Sequence, residues 1–265
     1  MNETVFERLD RDVRELKLDI SGAELAKLAE EKGFSSEQLE AIAGTFDYLR
    51  EKKEDTVVST LLRMSRLPLA EPKTFDNFDF DRIRGKDAKT LQTLPSLTEV
   101  HAGRNIAFIG PPGTGKTHLS KAIGYTCCIH KMKAYFLKAT ELNDKLTNAR
   151  RYGREDSVIN GLVKPTCLII DEVGRCVFDR ENTRLFFDMV DRRYNKEGPN
   201  TMIFTSNMTP DKWNEYFNEN SSLLCALDRI FDNAKVIMIK GESYRGRKRE
   251  TFAIEAGATA SVTKK

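Results

Sequence analysis

The segment GPPGTGKT, residues 110–117, matches the phosphate-binding pattern G-x-x-x-x-G-K-[ST] at every position. A short apolar run, Ile106–Ile109, precedes it and a run with helical character, HLSKAIGYTC, follows it, which is the context that the pattern requires. In such a loop, backbone N–H groups turn toward phosphate oxygens, and the next helix presents the positive end of its dipole. Lys116 should reach the β- and γ-phosphates of ATP, and the Thr117 hydroxyl should ligate Mg²⁺. We expect the nucleotide to contact Gly110, Pro111, Pro112, Gly113, Thr114, Gly115, Lys116, Thr117 and His118.

Two adjacent carboxylates, Asp171 and Glu172, follow the apolar run Leu168–Ile170. Burying a charge without a partner is costly, so something must meet these groups. In a parallel sheet, ligands bind at the carboxyl ends of the strands, where Asp171 can face Thr117. Asp171 is then expected to hold the Mg²⁺ shell, and Glu172 to orient or deprotonate the attacking water. A solvated strand end would explain these residues in isolation, but not downstream of a complete phosphate-binding loop.

A third polar group is expected from a neighbouring strand. The segment TMIFTSN ends at Asn207, which could hold the lytic water between Glu172 and the γ-phosphate. Taken alone, a polar strand end of this kind is more often just a turn.

Composition and charge bound the possible functions. The chain has 265 residues, of which 40% are hydrophobic and 31% charged, and no apolar run approaches the roughly 18–20 residues that span a bilayer. The acidic, mixed N-terminus resembles neither a signal nor a transit peptide, so a cytoplasmic location without membrane contact is expected. Five cysteines without a C-x-x-C pair and only three histidines argue against a zinc site or a disulfide framework. The excess of basic side chains lies after residue 70, which permits a nucleic-acid partner without establishing one.

The elements that carry these residues form a regular order. Helical periodicity at residues 3–66, broken near Leu67-Pro68, predicts a helical N-terminal domain at 1–68. The segment TFDNFDF, residues 74–80, is either an extended stretch anchored by its phenylalanines or a lid beside a ligand. Beyond it, apolar strands alternate with helices, which predicts an α/β fold with a parallel sheet covered on both faces. The expected strands are Ile106–Ile109, Ala134–Leu137, Leu168–Ile170, Met202–Thr205 and Val236–Ile239. Residues 250–265 are small and polar, and we expect a disordered tail there.

Taken in order, GPPGTGKTHL, LIIDEVG, FTSN, LDRI and KGESYR resemble the AAA+ ATPases of the DnaC/IstB group. The match is closer to IstB, the ATPase helper of insertion-sequence transposition, through PKTFDNFDF and PDKWNEYF as well. The resemblance covers about residues 72–249. It implies an AAA+ P-loop domain at 69–249 with a five-stranded parallel sheet. Since 25 residues follow Lys240, no C-terminal helical lid is expected.

The resemblance also implies an active site that is completed between subunits. Arg229, in LDRI, matches an arginine finger that would enter the ATP site of a neighbour and stabilise charge on the transferred phosphoryl group. Arg245, in ESYR, is similar to a sensor arginine that contacts the nucleotide, and Arg193 is a reserve candidate for either role. The alternative for each arginine is a surface ion pair.

The strongest candidate for DNA contact is the stretch LTNARRYGRED, with Arg150, Arg151 and Arg154, together with Lys145 directly before it. Lys and Arg on phosphates give sequence-independent, salt-sensitive affinity. A solvated charged helix face is the alternative. The basic run that the family usually carries before its Leu-Pro is missing from DTVVSTLLRMSRLP. The N-terminal helices are therefore expected to serve self-assembly or transposase contact.

These observations favour an ATPase with ATP and Mg²⁺ as cofactors, double-stranded DNA and a cognate transposase as partners, and a homo-oligomer in the form of a ring or a helical filament. The alternatives are a DnaC-like replicative helicase loader, a P-loop small-molecule kinase and a non-hydrolysing ATP switch. The Asp171-Glu172 pair, Asn207 and the Arg229 segment favour hydrolysis over transfer to a metabolite.

Overall fold

A computed structural model describes the chain at residues 4–83, 85, 87–218, 221–241 and 243. Its first three helices are α1 (Val5–Leu16), α2 (Gly22–Lys32) and α3 (Ser36–Met64). Each begins with a capping box, in which the side chain of Thr4, Ser21 or Ser35 accepts a backbone hydrogen bond from the third helical residue. Such caps satisfy N–H groups that have no partner within the helix.

The long helix α3 joins the N-terminal helices to the rest of the protein. Its first half packs on α1, where Asp12 is fully buried and accepts hydrogen bonds from Arg11 (3.0 Å) and Arg50 (2.9 Å). Its last turns place Leu61 and Leu62 against the core of the following domain. The chain is therefore already packed on that core before the domain boundary predicted at residue 68.

The remainder of the described chain alternates helices and strands. The helices are α4 (Lys89–Gln92), α5 (Thr98–His101), α6 (Lys116–Ile129), α7 (Ala139–Arg151), α8 (Glu155–Val163), α9 (Arg180–Tyr194) and α10 (Ser221–Phe231). The strands are β1 (Asn105–Ile109), β2 (Ala134–Lys138), β3 (Cys167–Val173), β4 (Thr201–Ser206) and β5 (Ala234–Met238). All strand pairs are parallel, in the order β2-β3-β4-β1-β5. The predicted five-stranded parallel sheet is confirmed, although β5 begins two residues earlier than expected because Ala234 already pairs with Asn105.

Both faces of the sheet are buried along β1, β3 and β4, whereas Val236 and Met238 of the edge strand β5 are exposed. In β1, Ala107 and Ile109 belong to one apolar cluster, while Ile106 and Phe108 belong to another on the opposite face. Helices α7 to α10 cover the first cluster, and α6 covers the second. This arrangement explains why the strands are continuous apolar runs.

The strand order brings three chain segments to one edge of the sheet. β4 lies between β3 and β1, so the segments that follow these three strands are neighbours at their carboxyl ends. In the pairing of β3 with β4, Ile170 lies opposite Phe204 and Val173 lies opposite Ser206. Two residues of β3, Asp171 and Glu172, therefore face a single residue of β4. Two residues opposite one is the pattern of a β-bulge, which changes the direction of the side chains locally.

None of the helices in the described part of the chain is both long and apolar enough to cross a membrane. The described residues include neither Arg245 nor the tail predicted at 250–265. Most of the segment after Lys240, in which no lid was expected, also lies outside them.

Candidate functional site

The loop between β1 and α6 has the conformation that its glycines allow. Gly110 has a φ of 154°, and a Cβ there would lie 2.0 Å from the Ile239 carbonyl oxygen. Gly113 has a φ of 79°, in the left-handed region that side chains rarely adopt. Helix α6 begins at Lys116, directly after the loop. The sequence pattern and the fold thus agree on a phosphate-binding loop at a helix N-terminus.

Lys116 lies inside this loop. Its side chain is largely buried, and its ammonium group donates hydrogen bonds to the carbonyl oxygens of Gly110 (2.7 Å) and Pro111 (2.6 Å). The Thr114 hydroxyl donates to the same Pro111 oxygen at 2.9 Å. The one buried cation of the loop is therefore held among the groups where phosphate oxygens are expected.

Asp171 meets two hydroxyl groups at the end of β3. Its Oδ1 accepts hydrogen bonds from Thr117 (2.8 Å) and Thr205 (2.5 Å), and the residue is 1% exposed. This contact joins the loop helix, β3 and β4, as the sequence predicted for Asp171 and Thr117. Hydroxyl and carboxylate oxygens are hard ligands, so the pair fits Mg²⁺, which takes one or two protein oxygens and completes its shell with water and phosphate.

Glu172 has an unusual backbone and two cationic neighbours. Its φ is 60°, a left-handed conformation that is strained for a residue with a side chain. Its carboxylate lies 2.8 Å from Arg175 and 3.4 Å from the ammonium of Lys138, at the end of β2. Neither cation was singled out from the sequence. Lys138 reaches Glu172 through the pairing of β2 with β3, whereas Arg175 follows Glu172 by three residues.

Asn207 lies beside Glu172. The two residues line one cavity of about 280 Å³, together with Gly174, Arg175 and Met208. The indole N–H of buried Trp213 donates to the Met208 carbonyl oxygen at 3.3 Å, which fixes the turn after β4. Asn207 is exposed within this arrangement, so its amide is accessible from the cavity.

The phenylalanine-rich segment at 74–80 is anchored on the core and lies beside a cavity next to the loop. Phe75, Phe78 and Phe80 pack against the α6 side of the core. Phe78 also lies edge-on to His118, with ring centroids 5.2 Å apart, and lines a cavity of about 460 Å³ beside the loop. Burial lowers the pKa of His118, although its Nε2 lies 2.8 Å from the Thr74 carbonyl oxygen. The segment is thus anchored on the helix whose start forms the phosphate loop.

Three arginines were proposed for the site, and two of them, Arg193 and Arg229, lie within the described residues. Their environments are opposite. Arg229 is half-exposed on α10, 2.8 Å from Asp191 and over the ring of Tyr194. Arg193 is fully buried and donates to carbonyl oxygens that precede β3 and begin β4, at the amino edge of the sheet: those of Leu162, Val163, Pro165 and Thr201. The reserve role considered for Arg193 is therefore wrong, because its guanidinium is bound at the edge opposite the phosphate loop.

The candidate DNA contacts differ in the same way. Arg151 and Arg154 are exposed, and Lys145 is partly exposed. Arg150 is paired with Asp179 at 2.7 Å and also donates to Asn182, so it links α7 to α9. Of the four, Arg150 has the contacts of a structural residue.

Thr205 is the residue that the sequence interpretation missed. It bonds Asp171, and its hydroxyl also accepts the backbone N–H of Glu172 at 2.9 Å. A hydroxyl near the end of a strand beside the acidic pair was the available signal, but only the β3–β4 register shows which residue it contacts.

Comparison with known sequences agrees with this geometry. The family model described as IstB-like ATP binding protein matches residues 11–252. The chain is 35% identical over 198 residues to the insertion sequence IS5376 putative ATP-binding protein of Geobacillus stearothermophilus, covering 75% of this chain and 77% of that one. It is 32% identical over 202 residues to the insertion sequence IS21 putative ATP-binding protein of Pseudomonas aeruginosa, covering 76% and 74%.

Solved structures show the fold more broadly. The DnaC helicase loader matches with a TM-score of 0.52 at 17% identity, covering 63% of this chain and 97% of that one. AMPPCP-bound DnaA from Aquifex aeolicus matches with a TM-score of 0.51 at 21% identity, covering 65% and 51%. At these identities the likeness shows the AAA+ fold alone.

Proposed function

The chain belongs to the family of IstB-like ATP-binding proteins, and from this premise we propose that it is an ATPase that assembles on duplex DNA and helps a transposase to engage its target. ATP favours the assembled state, and hydrolysis resets it. The observation that carries the ATPase part is the junction of Thr117, Asp171 and Thr205 beside the phosphate loop. It supports a site in which an acid from β3 and a hydroxyl from α6 act on one ligand.

Each residue of the site has a chemical role in this proposal. The glycine loop and Lys116 bind the phosphates, and Thr117 with Asp171 would hold Mg²⁺. When bound, Mg²⁺ neutralises charge on the phosphate oxygens. Glu172 orients and deprotonates the attacking water, and Asn207 hydrogen-bonds that water. The shared cavity of Glu172 and Asn207 supports this division of work.

We propose that the site is completed by a neighbouring subunit. The half-exposed guanidinium of Arg229 is available to a second copy once its surface ion pair with Asp191 opens. Exposed ion pairs contribute little to stability, so exchanging Asp191 for a phosphate group costs little. This supports a ring or a helical filament, in which each subunit contributes an arginine to the next site.

DNA and transposase are proposed as partners on two grounds. The relatives are named for insertion sequences, which move by transposition. Arg151 and Arg154 are exposed at the end of α7, and Lys145 is partly exposed in the middle of it; such cations suit phosphate contacts.

One assay tests ATP hydrolysis, assembly on DNA and transposase capture together. Purified protein is mixed with ATP and Mg²⁺, with either duplex or single-stranded DNA of equal length, and phosphate release and sedimentation are measured together. We expect duplex DNA to stimulate turnover and to give ATP-dependent assemblies that capture the cognate transposase. Lys116→Ala should abolish nucleotide binding, assembly and capture. Preference for single strands together with capture of a replicative helicase would contradict the proposal.

The arginines at the end of α7 have their own test. Arg151→Ala and Arg154→Ala should each weaken duplex binding and reduce the salt slope by about 1. Arg184→Ala, on the exposed part of α9 beside Glu181, serves as the matched control and should change neither. Equal effects from all three variants would show that the α7 surface is not the contact.

A further inference from the structure

The hydroxyl of Thr205 contacts both members of the acidic pair at once. It donates to Asp171 Oδ1 at 2.5 Å and accepts from the backbone N–H of Glu172 at 2.9 Å. The residue is 1% exposed, so water does not compete for these bonds. We propose that Thr205 is a positioning residue for ATP hydrolysis, because its single hydroxyl fixes the acid and the base relative to each other. This inference rests on the proposed ATPase function.

The bulge in β3 explains why a hydroxyl is needed here. Asp171 and Glu172 together oppose only Thr205, so the regular ladder between Ile170 and Val173 is interrupted. A backbone N–H in a bulge has no regular strand partner, and an unpaired buried donor is unfavourable. The Thr205 oxygen accepts the N–H of Glu172 in place of a backbone carbonyl.

The same bond holds a strained residue. Glu172 has a φ of 60°, a conformation that persists only where the surroundings determine it. Its N–H is tied to β4, while the loop after it continues into Gly174 at a φ of 92°. Without the hydroxyl, Glu172 could relax toward a regular strand conformation, and its carboxylate would then leave the cavity that it shares with Asn207.

The orientation of Asp171 depends on the same hydroxyl. Thr117 and Thr205 both donate to one carboxylate oxygen of Asp171, Oδ1. These two hydrogen bonds together fix the orientation of the carboxylate, and therefore the direction of its other oxygen, Oδ2. Thr117 lies on the phosphate-binding helix and Thr205 lies on the sheet. Removing the Thr205 hydroxyl leaves the Asp171 carboxylate bonded to Thr117 of the helix but no longer to β4, the strand that Asn207 follows.

The test replaces the hydroxyl without changing the shape. Thr205→Val removes the hydroxyl, and Thr205→Ser retains it. The control is Thr201→Val, in the same strand and equally buried, whose hydroxyl makes only a 3.5 Å contact with the Val100 carbonyl. We expect Thr205→Val to lower kcat about 10²-fold, the effect of small misplacements of catalytic groups, with little change in ATP affinity. Thr205→Ser should restore most of kcat, and Thr201→Val should resemble the wild type.

A second readout does not depend on activity. Amide hydrogen exchange at Glu172 should accelerate in Thr205→Val and stay slow in Thr205→Ser and Thr201→Val. If wild-type protein hydrolyses no ATP, the proposed function fails, but the exchange result still decides the role of the hydroxyl. If Thr205→Val does not fold, Thr205→Cys is the substitute, since a thiol is a weak donor and acceptor. The inference is overturned if Thr205→Val and Thr201→Val have the same kcat and the same exchange rate at Glu172, whether both match the wild type or both lose activity equally.

Discussion

Replacing Arg193 with alanine should lower the free energy of unfolding by about 4 kcal/mol, because the fully buried guanidinium donates hydrogen bonds to four backbone carbonyl groups. Two of its four acceptors, Val163 and Pro165, also accept from Lys196. The carbonyls of Leu162 and Thr201 lose the side-chain donor that Arg193 provides.

The magnitude follows from those two groups. A hydrogen bond to a charged group contributes about 1.5–3 kcal/mol, so the two bonds to Leu162 and Thr201 contribute about 3–6 kcal/mol. Burial lowers the pKa of Arg193 to about 10, and removing this desolvated charge offsets part of the loss. We therefore expect the middle of the range rather than its upper end.

The adjacent residue provides the control. Arg192 is partly exposed and lies 2.8 Å from Asp156 and from Asp188. Exposed ion pairs contribute about 0–1 kcal/mol, so Arg192→Ala should be mild. Urea unfolding can be followed by the fluorescence of Trp213, the single tryptophan, which is buried. Similar losses for Arg192→Ala and Arg193→Ala, at equal m-values, would refute the buried-anchor argument and reopen a functional role for Arg193.

Three further predictions concern the site and its surroundings. Glu172→Gln should retain ATP binding and stop steady-state phosphate release, leaving ATP-bound assemblies on DNA in sedimentation; near-normal release would show that Glu172 is not the activating carboxylate. Arg229→Ala should leave ATP binding by the monomer intact and lower turnover by about 10³-fold or more, while wild-type turnover per subunit rises with protein concentration; constant specific activity from monomer to oligomer would refute the shared site. Because the folded state keeps the pKa of His118 below its unfolded value, the wild-type free energy of unfolding should fall as the pH drops below about 6.5. His118→Gln should show a flatter dependence in urea titrations at several pH values, and an unchanged slope would assign the effect to other groups.

The sequence predicts the parts of this site that depend on local pattern. The phosphate loop, its flanking strand and helix, and the acidic pair after an apolar run are all contiguous in the chain. The contacts of Thr205 are not, because they follow from a bulge in which two residues of β3 face one of β4. The same holds for Lys138 beside Glu172, which the pairing of β2 with β3 brings together, whereas Arg175 is only three residues from Glu172 in the chain.

The structural roles of two arginines, Arg193 and Arg150, follow from their spacing along the helices. Arg193 follows Met189 and Val190 at helical spacing, within the apolar stripe of α9. A charged residue in such a stripe points to a buried structural contact. Arg150 lies four residues after the buried Leu146 of α7, on the same face, whereas Arg151 is exposed. Helical phase therefore distinguishes structural from accessible arginines before any coordinates are known.

Helix α3 is long, so a small tilt at one end produces a larger displacement at the other end. Its 29 residues span about 44 Å at 1.5 Å per residue. Its C-terminal half rests on α6, where Glu54 lies 2.6 Å from Lys131, and its far end carries α1 and α2. A tilt of about 5° at the Met64 end displaces the Ser36 end by about 4 Å over this length. Any tilt of α3 on α6 would therefore displace the Ser36 end, which carries α1, more than the Met64 end.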